Sequence, residues 1–180
     1  MVYLILGNGF EEIEALTPVD ILRRGGVEIR TAGIGGLLVE GAHGITVQAD
    51  CTVEEMDLNA MEMVILPGGL GGVQSMDGSE AAVAAVRRAH ADGKYVAAIC
   101  AAPTLLSKLG ITHGRRCTSY PRTDVQMDGA IYVCDEPVVV DGNLITSRGP
   151  GTATVFALQL LQTLRGRETA ERVAEELVLA

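Results

Sequence analysis

Cys100 is the residue best placed for chemistry. Ala97-Ala98-Ile99-Cys100-Ala101-Ala102-Pro103 sets a thiol between an apolar strand-like run and the first turn of a helix, flanked by small side chains. Such a strand-to-helix turn has the form of a nucleophile elbow, which holds a reactive atom at the edge of a sheet. Unpaired amides at a helix N-terminus favour thiolate over thiol, so the position predicts a lowered pKa and a nucleophilic sulfur. The competing reading is an inert core residue, since free cysteine is among the most buried residue types.

Three other segments carry usable groups. In Pro67-Gly68-Gly69-Leu70-Gly71-Gly72 the glycines allow backbone N–H groups to turn toward a ligand. Gly68 and Gly69, with the N–H of Ala101, are candidate donors to an oxyanion formed when a thiolate adds to a carbonyl. A plain tight turn is the alternative, and the segment has neither GxGxxG spacing nor a Walker lysine. Glu11, Glu12 and Glu14 follow Gly9 at the start of a helical pattern, where acidic residues are also ordinary favourable capping. Arg148-Gly149-Pro150-Gly151-Thr152 is the fourth such turn.

These segments share one feature: each follows an apolar run. Val2–Leu6, Met63–Leu66 and Tyr95–Ile99 are short and continuous, as expected of strands covered on both faces. The spacing predicts helices over Glu11–Arg24, with local distortion at Pro18, and from a Ser79 cap to about His90. A further helix starts near Pro103 and ends at Gly110. Val27–Ala32 reads as the second strand, and Leu37–Val39 with Ile45–Val47 as an antiparallel excursion. In the last third, strands at Arg116–Ser119, Ala130–Cys134, Pro137–Val140 and Leu144–Ser147 precede helices over Thr152–Leu164 and about Glu168–Val178. Val140-Asp141-Gly142-Asn143 is a hairpin signal. The β-α-β order implies an α/β fold, a doubly wound, mostly parallel sheet with helices on both faces. Ligands in such sheets bind beyond the carboxyl ends of the strands, where the four segments gather.

The composition excludes several functions. The chain has 180 residues, 48% apolar and 21% charged, without repeats or linkers, and reads as one domain over 1–180. A net charge of −9, with arginines scattered in pairs, argues against nucleic acid as a partner. Without a run of about 18 apolar residues, a basic n-region or a cleavage site, the chain reads as cytoplasmic and not membrane-bound. Cys51, Cys100, Cys117 and Cys134 show no CxxC, and no Cys/His cluster has metal-ligand spacing, so neither a disulfide framework nor a metal is expected. His43, His90 and His113 each stand alone and read as solvated surface residues.

Together, Gly9-Phe-Glu-Glu-Ile-Glu14, Leu66-Pro-Gly-Gly69, Ala98-Ile-Cys100-Ala-Ala-Pro103 and Thr146-Ser-Arg-Gly-Pro-Gly-Thr152 resemble the ThiJ/PfpI superfamily, and more closely its parkinsonism-associated deglycase branch. The similarity runs essentially end to end. It implies a flavodoxin-like fold, a homodimer, no cofactor, Cys100 as nucleophile or redox-sensitive thiol, and Glu14 hydrogen-bonded to its sulfur as proton shuttle. By the same resemblance Gly69 and Ala101 offer backbone donors, and Arg148 orders the pocket and the dimer edge. Three departures select among branches. The protease-like branch follows its cysteine with histidine, where this chain has Ala101. Glutamine amidotransferases of related fold draw on a histidine near the C-terminus, and none follows His113. Tyr120 stands where the deglycase relative has a histidine close to the cysteine, which leaves Glu14 as the acid/base partner. The expected function is a cofactor-free enzyme acting on small reactive aldehydes or on glycated side chains. Its rival is a non-enzymatic redox sensor or chaperone that uses oxidation of Cys100. A flavin-binding module is a third reading, disfavoured by the absence of Trp and 3% aromatic content.

Overall fold

A computed structural model describes residues 1–179. In chain order its elements are β1 (Val2–Leu6), α1 (Glu12–Arg24), β2 (Ile29–Gly33), β3 (Leu38–Glu40), β4 (Thr46–Gln48), β5 (Cys51–Thr52), β6 (Met63–Leu66), α2 (Leu70–Asp77), α3 (Glu80–Ala91), β7 (Tyr95–Ile99), α4 (Ala102–Lys108), β8 (Arg116–Cys117), β9 (Ile131–Tyr132), β10 (Val138–Asp141), β11 (Leu144–Ser147), α5 (Ala153–Arg165) and α6 (Arg167–Glu176). The main sheet has the order β10-β11-β7-β6-β1-β2-β5, and all its pairings are parallel except the β10–β11 hairpin.

The apolar runs are continuous because both faces of the sheet are covered. Val2, Leu4 and Leu6 of β1 point into one core with residues of α1, α5 and α6. Tyr3 and Ile5 point into the other, with residues of α2, α3 and α4. This doubly wound layering is the fold expected from the sequence. Among the described residues, no helix is long and apolar enough to cross a membrane.

Several expectations shift in register or kind. The antiparallel excursion is present as β3 paired with β4, one residue later than read. β8 and β9 shrink to two residues each and pair with one another in a separate parallel ladder. The edge strand β5 has no periodic signal, since it is two residues long. Ser79 caps α3 as expected, its Oγ accepting the Ala82 N–H at 3.2 Å. Pro18 lies inside α1 without ending it. Lacking an N–H, it cannot bond the carbonyl of Glu14 one turn earlier.

The largest departure is the glycine-rich segment, which turns for only three residues before α2 begins at Leu70. Gly71 and Gly72 are helical because α2 lies against the turn after β1. A Cβ at Gly72 would fall 2.8 Å from Phe10 Cα, and one at Gly71 3.1 Å from Gly9 Cα. Close backbone approach therefore outweighs helix propensity here.

Gly72→Ala gives propensity and packing opposite signs. Propensity alone would stabilise the helix by about 1 kcal/mol. The contact with Phe10 backbone makes the expected outcome a net loss of about 1–3 kcal/mol in urea denaturation. A gain in stability would show that α2 can move off the β1 turn.

Candidate active site

Strands β11, β7, β6 and β1 are neighbours and parallel, so their C-terminal ends deliver Arg148, Cys100, Pro67–Gly69 and Gly7–Phe10 to one edge. Cys100 has φ +64°, left-handed backbone that a non-glycine residue adopts at a cost of roughly 1–2 kcal/mol. Two hydrogen bonds hold it there: its N–H donates to Ser147 O at 3.0 Å, and its carbonyl accepts the Tyr120 N–H at 2.7 Å. This is the strained elbow that the sequence pattern predicted.

Glu14, in the first turn of α1, is fully buried. Its Oε2 accepts the Gly68 N–H at 2.8 Å, and Gly68 O accepts the Glu11 N–H at 3.0 Å, so Gly68 is clasped to α1 on both sides. A Cβ at Gly68 would sit 2.5 Å from Glu14 Oε2, 2.6 Å from Cys100 Cβ and 3.0 Å from Sγ. Only a residue without a side chain lets the carboxyl and the thiol meet. The expectation that Gly68 donates to an oxyanion is corrected: its N–H is already taken by Glu14. The backbone amides of Ala101 and Gly69 are near enough to the sulfur to lower the pKa of its thiol. Gly69 has φ +84°, and a Cβ there would lie 2.2 Å from Gly9 O.

The electrostatics also depart from expectation. Burial, then the charge and hydrogen bonding of Glu14, push the Cys100 thiol up to about 12, against the lowering effect of the Ala101 and Gly69 amides. The short helix α4 does not reverse this. Burial likewise pushes Glu14 up to about 7, although hydrogen bonds from Cys100 and Gly68 favour its charged form. Each group's position depends on the other: near neutrality the pair holds one proton more readily than none.

Tyr120 is joined to Cys100 through its backbone. Its half-exposed ring packs over Gly149, whose Cβ position lies 3.2 Å from ring Cδ2. The phenol has no hydrogen-bond partner among the described residues. Arg148 follows Ser147 at the level of Cys100; its Nε is buried without a partner, and it makes no ion pair among the described residues. Glu14 Oε1 is the other unpartnered buried atom here, 4.0 Å from the Gly149 Cβ position.

His43 is not solitary. Its Nδ1 lies 2.8 Å from Glu12 Oε2 and 3.7 Å from Glu11 Oε2, and its N–H donates to Glu12 Oε1 at 2.8 Å. Burial opposes the charge on Glu12, but these bonds outweigh it and hold the carboxyl below its usual range. The hydrogen bond to Glu12 in turn raises His43. The ligand atoms of Glu11, Glu12 and His43 lie within 4.8 Å of one another, close enough to share a metal ion. The bonds already present describe a clasp between α1 and the β3–β4 hairpin. Sequence reading missed it because the partners are about thirty positions apart.

A buried carboxyl beside a strained cysteine at the strand ends of a flavodoxin-like sheet defines a class of cysteine-dependent α/β proteins. Residues 1–163 match the DJ-1/PfpI family, and the chain belongs to that family. It is 41% identical over 179 residues to Protein dj-1beta of Drosophila melanogaster, covering 98% of this chain and 96% of that one. The crystal structure of Drosophila DJ-1beta superposes with a TM-score of 0.96 at 40% identity, covering 99% and 97% of the two chains. Deglycase TK1284 of Thermococcus kodakarensis is 34% identical over 166 residues, 91% of this chain and 99% of its own.

Burial of Glu14 sets a pH dependence of stability. Its pKa rises from 4.5 to about 7 on folding, so its contribution is fully present below pH 4.5 and is lost as pH climbs through 7. Urea denaturation from pH 4.5 to 8 is expected to show wild type losing about 3 kcal/mol relative to Glu14→Gln. Parallel pH profiles would mean that Glu14 ionises without penalty.

Proposed function

We propose that the protein is a cofactor-free enzyme acting on reactive aldehydes, converting an α-oxoaldehyde such as methylglyoxal or glyoxal to the 2-hydroxy acid. The observation that carries this reading is the setting of Glu14: its Oε2 is anchored by the Gly68 N–H and shares the Gly68 position with the Cys100 thiol, while its Oε1 is buried without a hydrogen-bond partner. A carboxyl with pKa about 7 in that position is matched to proton transfer near neutrality.

In the proposed sequence Glu14 takes the Cys100 proton as sulfur bonds to the aldehyde carbon, and the carbonyl π electrons pass to oxygen. The Gly69 and Ala101 N–H groups at the sulfur are the donors nearest the resulting oxyanion. Glu14 returns its proton to that oxygen, giving a hemithioacetal. It then removes the proton from the former aldehyde carbon, the C–H electrons forming an enediolate with the negative charge on the neighbouring oxygen. That oxygen takes up the hemithioacetal O–H proton as the new C=O forms, and Glu14 returns its proton to the neighbouring carbon, leaving a thioester of the hydroxy acid. One water cleaves the thioester and restores the thiol, so the net reaction consumes one water. Deglycation of modified Cys, Lys or Arg side chains uses the same addition chemistry, and the name of the Thermococcus relative supports that branch.

The amides around the sulfur favour one further reading, in which they and Glu14 stabilise an oxidised Cys100 as a redox signal. The two readings part on turnover. Purified protein without glutathione or metal is expected to form lactate from methylglyoxal, with an acid limb of apparent pKa near 7. Cys100→Ser should abolish turnover, and Glu14→Gln should lower kcat by about 10²–10⁴. Full turnover in Glu14→Gln overturns the mechanism. No turnover in wild type, with peroxide oxidation confined to Cys100 by intact mass, replaces the enzyme with the sensor.

We further propose a homodimer using the face where Ile13, Leu16 and Ile45 stand exposed beside the His43 clasp. Light scattering should give twice the monomer mass for wild type and the monomer mass for Ile13→Asp with Ile45→Asp. A monomeric wild type would remove this assembly.

A further inference from the structure

A cavity of about 230 Å³ is lined by Tyr120, Pro121, Arg148, Gly149, Pro150 and Thr152. It adjoins the reacting groups: Gly149 is wedged between the Tyr120 ring and Glu14, with its Cβ position 3.2 Å from ring Cδ2 and 4.0 Å from Oε1. Its walls are chemically uneven. The Tyr120 ring and the two prolines make flat apolar surface. Thr152 is already used, its Oγ1 paired with Ser147 Oγ at 2.7 Å, accepting the Gly149 N–H at 3.1 Å and donating to Gly149 O at 2.9 Å.

Arg148 is different. Its guanidinium has neither a hydrogen bond nor an ion pair among the described residues, and its Nε is closed to solvent with no acceptor. A buried donor left unmade is costly, and a guanidinium is best satisfied by a carboxylate that meets two of its N–H groups. The chain's net charge of −9 gives no general attraction for anions, so an anionic group gains at this edge only from a local cation.

We infer that this cavity is the subsite for the aldehyde's substituent, and that it takes a flat apolar group ending in a carboxylate, with the ring against Tyr120 and the carboxylate on Arg148. This inference rests on the aldehyde-enzyme reading for its substrate and on the cavity alone for its ligand chemistry. Tyr120, standing where the resemblance puts a histidine, thereby acts on which substituent is accepted while its backbone holds the elbow.

Binding is tested without turnover. Benzoate and its neutral counterpart benzamide are titrated into the full chain while the Tyr120 ring signals are followed by NMR, assigned with Tyr120→Phe. Benzoate is expected to shift Tyr120 and to bind about tenfold or more tighter than benzamide, as a charge-assisted hydrogen bond implies. Arg148→Gln should erase that ratio, Arg148→Lys should restore part of it, and Tyr120→Ala should weaken both ligands. In parallel, kcat/KM is compared for 4-carboxyphenylglyoxal and phenylglyoxal, each normalised to its uncatalysed reaction with a simple thiol. The same preference should appear in wild type and vanish in Arg148→Gln. Benzoate preference without turnover would overturn the enzyme reading and keep the subsite. Turnover with no benzoate preference, or with a preference unchanged in folded Arg148→Gln, overturns the subsite and leaves the enzyme.

Discussion

The site depends on one contact, the hydrogen bond from the Gly68 N–H to Oε2 of a fully buried Glu14. Burying a carboxyl is unfavourable unless it is hydrogen-bonded or stays protonated, and this one does some of each. The bond fixes α1 against the end of β6 and brings the carboxyl to the sulfur. It also dictates the loop, because a side chain at Gly68 would collide with both partners. Gly71 and Gly72 extend the same logic outward, allowing α2 to lie directly on the turn after β1. The glycines serve backbone contact first, and only the Gly69 amide remains for the reacting group.

The electrostatic character of the pair follows from that geometry. A lone thiol at a helix N-terminus would be expected to ionise easily. Here the loss of water, and after it the nearest carboxylate, raise it further than two amides lower it. Strain at Cys100 belongs to the same design, since the bonds from Cys100 N–H and from Tyr120 N–H hold its sulfur at the sheet edge.

Around this centre the molecule divides its polar groups unequally. Glu12 and Glu11, two neighbours of Glu14 in sequence, face away toward His43 and tie the β3–β4 hairpin to α1. Glu14 alone is turned inward. Three carboxylates within four residues thus have two roles, separated by the helical rotation of α1 and by Gly68 being within reach of only one of them.

The layer order, the two-sided burial of β1, β6 and β7, the elbow at Cys100 and the cap at Ser79 were legible in sequence, because each is set by local patterning or by residues close along the chain. The family resemblance added Glu14 as partner of the thiol, and Glu14 Oε2 and Cys100 Sγ both border the Gly68 Cβ position. What composition could not reach was relational. The raised thiol depends on burial and on a carboxylate eighty-six positions away, the loss of Gly68 as a free donor on its capture by α1, the His43 clasp on a contact across thirty positions, and the helical state of Gly71–Gly72 on Phe10. Sequence by itself determined which elements form and which edge of the sheet carries the reactive types. Tertiary structure alone decided which amide is free, which carboxyl is buried and where the proton rests, since desolvation and hydrogen bonding are properties of distance in space, not of separation along the chain.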